Sequence, residues 1–289
     1  MAARKQSFTR DIKNGVKEIT DDAHEHPWVD RLTRVGYAVR GLIYGLIGYL
    51  AAQVFITGRA QITDQTGALT RISQETYGEI LLVVILVGLV GLVIWGVVRA
   101  IADPYHKGKD LKGLVSRAGY LVSGISYAVL LVPVLKLLNG TGGASGGSSD
   151  QAQSITAALL ASTWGTWLVG LVGIVLIGLG LYRISLGVRG KLSERLKSYE
   201  MTADHRKLVE NAGRFGYMAH GAVLSLIGVL ALLAALTLDP ERVGGLDQAL
   251  LFLSQQTYGS WLLGALALGL IAYGVYSVMG ALWFRIKEL

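Results

Sequence analysis

The sequence predicts an all-α integral membrane protein. Six transmembrane helices form three tandem parallel two-helix repeats about a pseudo-threefold axis, with short interfacial helices inside the repeats. Three observations carry this. The 289 residues are 52% hydrophobic and only 16% charged, where a water-soluble domain averages about 25% charged. Six uncharged apolar stretches reach or approach the roughly 20 residues that a helix needs to cross about 30 Å of hydrocarbon. Short motifs recur three times in the same order, which marks an internal repeat.

Residues 1–30 mix acids and bases and lack the apolar core of a cleavable signal. Phe8, Ile12, Val16 and Ile19 stand at helical spacing there, which predicts an amphipathic segment on the cytoplasmic face. Repeat 1 occupies residues 31–103, with spans from near Val35 to Gly58 and from Ile80 to Val98. Repeat 2 occupies 114–188, with spans Ala118 to Leu135 and from near Trp164 to Tyr182. Residues 189–212 read as a cytoplasmic linker helix with an apolar stripe of Leu192, Leu196 and Tyr199. Repeat 3 occupies 213–286, with spans Phe215 to Leu238 and from near Tyr258 to Phe284. The Gly/Ser-rich stretch from Asn139 to Ser149 has no lysine and predicts a flexible outer loop rather than a phosphate cradle.

Basic residues in the connections set the orientation. The N-terminal segment, the second and fourth connections and the tail hold nineteen Lys and Arg, against three in the first, third and fifth connections. Both termini are therefore expected in the cytoplasm. The net charge of +7 lies along one membrane face, so nucleic acid is not an expected partner.

The repeated motifs place Gly36-Tyr37 with Gly41, Gly119-Tyr120 with Gly124, and Gly216-Tyr217 with Gly221 at the start of each odd span. Thr76-Tyr77-Gly78, Thr163-Trp164-Gly165 and Thr257-Tyr258-Gly259 precede each even span. An aromatic follows at Trp95, Tyr182 and Tyr276. Between the motifs lie the pairs Asp64-Gln65, Asp150-Gln151 and Asp247-Gln248. This arrangement resembles a bacterial membrane-protein family known only as a domain of unknown function, whose members carry three two-helix repeats. The likeness rests on Gly36 to Gly41 with Tyr44 and on the stretch from Asp64 to Leu69, and it covers roughly Trp28 to Phe284. Copy two departs with Ser123 where copy one has Arg40, and copy three with His220 there and Leu224 in place of Tyr44. The resemblance implies a fold and a membrane location but no reaction.

Glycines such as Gly41, Gly45 and Gly48 suit close helix approach in lipid. Asp64, Asp150 and Asp247 are expected to cap short outer helices, or to form an acidic ring that attracts cations. Ala68-Leu69, Ala157-Leu159 and Ala249-Leu250 would then face the bundle. Arg40, Ser123 and His220 are equivalent positions about one turn inside the cytoplasmic interface. An ionisable group in a span is by default a functional candidate: Arg40 suits an anion or lipid phosphate, and His220 a proton near neutral pH. Snorkelling of Arg40 is the structural alternative. Arg99 and Arg183 are expected at inner headgroups, Lys136 to snorkel, and Tyr37, Tyr120 and Tyr217 to sit in the aromatic belt.

Catalytic constellations are missing. Zero cysteines, no HExxH, one intramembrane histidine and no acidic residue in a span leave no expected metal or cofactor and argue against an enzyme. The leading expectation is a non-enzymatic accessory or scaffold component of the plasma membrane. Its surroundings would be the lipid bilayer and a membrane-protein partner or a second copy. The alternative is an ion channel or small-solute transporter with a path along the pseudo-threefold axis.

Overall fold

The computed structural model describes residues 27–57, 62–101, 111–141, 148–190, 192 and 201–283. The stripe of Phe8, Ile12, Val16 and Ile19, together with Leu196 and Tyr199, lies outside the described residues. Among the described residues every regular element is helical. The first group is α1 (Pro27–Thr57), α2 (Gln65–Ser73) and α3 (Gly78–Ile101). The second is α4 (Leu111–Leu138), α5 (Ser148–Leu160) and α6 (Thr163–Arg189). The third is α7 (Ala203–Thr237), a 3-10 turn (Pro240–Arg242), α8 (Leu246–Ser254) and α9 (Gly259–Trp283). Each group reads long, short, long. The six long helices are long and apolar enough to cross a membrane, judged by length and composition. Residues 203–212, expected in a separate linker helix, continue without a break into the fifth span as the first turns of α7.

Local chemistry explains the boundaries. Asp64 stands before α2 in extended conformation, and its carboxylate accepts from the Gly67 amide at 2.8 Å, meeting one of the donors a helix start leaves free. Ser162 does the same for α6 through the Gly165 amide at 3.1 Å. α6 ends at Gly190 with φ 68°, a left-handed cap that glycine adopts without strain. The turn from each short helix into the next long one is tight. A side chain at Gly78, Gly165 or Gly259 would collide with the carbonyl oxygen of Ile72, Leu159 or Leu253, six residues earlier in each case.

The long helices pack in the order α4, α3, α1, α9, α7, α6. The most extensive seams join consecutive repeats (α3 with α4, α6 with α7) and the last to the first (α9 with α1). Within repeats, α1 packs on α3 and α7 on α9, whereas α4 and α6 of the middle repeat make no comparable contact. Among the described residues the long helices thus form an arc, with α4 and α6 at its two ends.

Besides a smaller cluster of Trp95, Val98, Leu192, Val209 and Tyr276, a larger apolar core reaches up under the short helices. Ile43, Ile47, Leu82, Leu89, Val134, Leu230, Leu263 and Leu270 meet there. Ala68 and Leu69 of α2 and Ala249 and Leu250 of α8 are fully buried against them, as expected. α5 differs: Ala157 is exposed, Leu159 half-buried, and Thr156 turns inward instead. The reason is register. Counted back from the Thr-aromatic-Gly motif, Leu69, Thr156 and Leu250 are equivalent, each seven residues before its threonine, while the three Asp-Gln pairs stand at different distances. The expected loop also ends early, because α5 already begins at Ser148.

The tyrosines of the first motif do not form a belt. Tyr37 is buried, Tyr120 lies under the Arg99 guanidinium at 4.6 Å, and Tyr217 packs edge-on to Tyr273 and Tyr276. Tyr77, Trp164, Trp167, Tyr258 and Trp261 are strongly exposed near the short-helix end, where amphipathic rings suit a membrane interface, while Tyr182 and Phe215 are exposed toward the opposite end.

Candidate functional site

Residues from five of the six long helices converge within the bundle, beside the larger apolar core. α1 supplies Arg40 and Tyr44, one turn apart on one face. α4 supplies Tyr127, α6 Arg183, α7 His220 and α9 Tyr273. Arg40 lies six residues into its span from Arg34, about 9 Å along the helix. Its Nη1 donates to the Tyr127 hydroxyl at 3.5 Å. Its guanidinium stacks 4.4 Å from the Tyr37 ring centre and 5.4 Å from that of Tyr273. The side chain therefore turns inward, over aromatic faces that attract a cation, rather than out to headgroups.

Arg183 joins the same centre. Its Nη1 lies 3.2 Å from His220 Nδ1 and donates to the Tyr273 hydroxyl at 3.3 Å. This corrects the expectation of a headgroup contact: Arg183 is half-buried and bonded inside the bundle. A guanidinium has only donors, so His220 Nδ1 accepts and the ring of neutral His220 carries its proton on Nε2. Nε2 then donates to the Tyr44 hydroxyl at 3.0 Å. Gln65, at the start of α2, donates to the same hydroxyl at 3.4 Å. A polar chain thus runs from Gln65 through Tyr44, His220 and Arg183 to Tyr273. Tyr44, His220 and Tyr273 also pack ring against ring, with centroids 4.6–5.1 Å apart.

The electrostatics are one-sided. The apolar stretches that hold the centre carry no Asp or Glu, and the described partners of Arg40 and Arg183 are phenols, an imidazole and aromatic faces. An intramembrane arginine costs about 2.5–3.5 kcal/mol even on the mildest scale. Two of them around one tyrosine are a strong local field. Arg40 Nε is buried with no hydrogen-bond partner, an unmet donor of the kind that calls for an explanation. Arg40, Tyr44, Tyr127, Arg183 and His220 are each only half-buried.

The structure brings Arg40 and His220 together. Ser123, the third member of that set, is half-buried on α4 one turn before Tyr127. The outer aspartates part company. Asp64 is a buried N-cap. Asp150 is exposed in the first turn of α5. Asp247 lies inside the first turn of α8, whose N-cap is Gly245, and accepts from the Ser149 hydroxyl at 2.5 Å. Among the described residues no group of three His, Cys, Asp or Glu is placed to hold a metal ion. Lys136 is exposed near the end of α4.

Sequence reasoning missed Gln65, Tyr127, Arg183 and Tyr273 as parts of the centre. Two signals were present. Tyr127 stands three residues after its motif glycine, as Tyr44 does, and Arg183 is the one charge in the run from Gln151 to Val188. Nothing in the sequence distinguishes Tyr273 from other span tyrosines.

Three long-short-long helical units, six bilayer-length helices and a charged centre define a multi-pass membrane protein built by repetition. The family profile "Domain of Unknown Function (DUF1206)" matches at residues 35–103, 118–190 and 215–283, and the chain belongs to that family. It is similar to "Uncharacterized protein YxxB" of Bacillus subtilis (strain 168), with 36% identity over 259 residues, covering 89% of this chain and 92% of that protein. No solved structure matches the chain.

Proposed function

We propose that this chain is a non-enzymatic small-solute transporter or channel of the bacterial plasma membrane. Both termini lie in the cytoplasm, and the solute binds at the polar centre of the bundle. One observation carries the reading: Arg40, Tyr44, Tyr127, Arg183, His220 and Tyr273 converge from five long helices while five of the six stay half-exposed. A bundle held only by packing has no need of two inward-turned arginines, which are costly in a span. The bias of basic residues toward one set of connections supports the cytoplasmic termini.

The frame is read as three parallel repeats about a pseudo-threefold axis, held by glycine contacts. The seams support this. A methyl at Gly41 would meet the Gly274 carbonyl at 2.7 Å, one at Gly221 the Gly180 carbonyl at 2.6 Å, and one at Gly124 the Val93 carbonyl at 3.5 Å. Each of those carbonyls stands two residues before the repeat aromatic, Tyr276, Tyr182 or Trp95. A repeated frame then carries unlike residues at like positions: Arg40, Ser123 and His220 on one set of helices, and Gly96, Arg183 and Ser277 on the other. Divergence between copies builds the site.

The test is flux. Purified protein in liposomes is expected to carry a saturable solute flux that Arg40→Gln and Arg183→Gln abolish while the fold is kept. Absence of any such flux across a panel of anions, cations and neutral solutes overturns the transport reading. The accessory or scaffold reading is favoured by one observation, the exposed apolar faces of α4 and α6, which a second copy or a partner would cover. A stoichiometric partner retained through gentle solubilisation supports it.

A further inference from the structure

The ligand class follows from the charge of the centre. We propose that the polar centre is an oxyanion site for a phosphate-type group, held between the guanidiniums of Arg40 and Arg183. This inference rests on the reading of the centre as a binding site and names what it takes.

Arg40 and Arg183 reach the same tyrosine from two helices. Arg40 lies over the Tyr273 ring at 5.4 Å, and Arg183 donates to its hydroxyl at 3.3 Å. Their described partners, Tyr127, His220 and the ring faces of Tyr37 and Tyr273, bring no negative charge. A cationic ligand would add a third positive charge, and a neutral one would leave two charges uncompensated in a low-dielectric bundle. An anion satisfies both and meets the buried, unpartnered Nε of Arg40.

The donor geometry selects an oxyanion. Guanidinium forks match paired oxygens, which a spherical halide does not offer. Two forks together with the hydroxyls of Tyr44, Tyr127 and Tyr273 suit the several oxygens of a tetrahedral group better than the two of a carboxylate. Among the described residues the two ends of the arc are α4, which carries Tyr127, and α6, which carries Arg183, with no extensive seam between them. The same phosphate chemistry thus has two sources: free inorganic phosphate from water, or a phospholipid headgroup entering from the bilayer.

Two assays separate the sources. Wild-type protein in a neutral detergent, stripped of lipid, is titrated with inorganic phosphate against chloride at equal ionic strength. Native mass spectrometry of gently extracted protein counts retained phospholipids. The expected result is saturable phosphate binding or one retained phospholipid per chain. Either is weakened by about tenfold or more in Arg40→Gln and in Arg183→Gln, the loss expected for a charge-assisted bond. Phosphate that binds only after delipidation assigns the lipid source. Helicity and monodisperse elution identify folded variants. Should a variant fail these, protection of wild-type protein against thermal unfolding by phosphate but not chloride is the readout. Neither phosphate nor phospholipid binding by folded wild-type protein overturns the proposal, as does binding unchanged in both variants. Phosphate binding without flux removes transport and leaves the oxyanion site standing. Flux of a neutral solute without phosphate binding does the reverse.

Discussion

Gly180→Ala separates the packing of α6 on α7 from the integrity of the charged centre. A methyl at Gly180 would stand 2.5 Å from the Gly221 carbonyl oxygen and 2.7 Å from the Ser225 amide nitrogen, where ordinary contact begins at 3.4 Å. Both obstacles are backbone and cannot rotate away, so α6 and α7 must part by about 0.9 Å. Arg183 lies one turn beyond Gly180, and its 3.2 Å approach to His220 lengthens to about 4.1 Å if the helices move as rigid bodies, outside hydrogen-bonding range. Overpacking of this kind costs about 1–3 kcal/mol, and the lost bond adds about 1 kcal/mol. Gly178→Ala is the control, because Gly178 is exposed and a methyl there meets open space. It is expected to shift stability by less than about 0.5 kcal/mol. Equilibrium unfolding by titration of mixed micelles with a denaturing detergent measures both. Equal stability of the two variants, or loss of stability in Gly180→Ala with phosphate binding intact, refutes the coupling of seam to centre.

Other outcomes follow from named contacts. Asp64→Ala removes the N-cap of α2 and is expected to cost about 1 kcal/mol, while Asp150→Ala, exposed in the first turn of α5, is expected to change little in the same unfolding assay. Leu69→Ala and Leu250→Ala empty fully buried positions under the short helices and are each expected to cost about 2–5 kcal/mol. Tyr44→Phe strips the acceptor from His220 Nε2 and Gln65; a loss of about 1–3 kcal/mol is expected, and unchanged stability and binding would remove Tyr44 from the centre. The chain has no cysteine, so Thr141→Cys and His205→Cys give clean reporters. An impermeant thiol reagent on whole cells is expected to label Thr141→Cys and to reach His205→Cys only after permeabilisation; the reverse pattern inverts the proposed topology.

The long helices were legible because hydrocarbon imposes a length and an apolar composition that no other role demands, and α1, α3, α4, α6, α7 and α9 all carry it. Tandem duplication was legible for a different reason. Gly78, Gly165 and Gly259 recur because each faces a carbonyl six residues back, a backbone constraint that side-chain drift cannot relax. The Asp-Gln pairs lack that constraint. Their likeness misled on register: Gly245, not Asp247, holds the position of Asp64.

What the sequence by itself determined was the number of long helices, their repetition and the two odd residues, Arg40 and His220. The tertiary structure alone decided that these two meet, that Arg183 turns inward to join them, and that α4 and α6 stand at the two ends of the arc. The physical reason lies in the two kinds of information. Hydropathy and backbone fit are local and survive in each copy. A charged centre is made where different helices happen to touch, from positions at which the copies differ, and no single stretch of chain records that meeting.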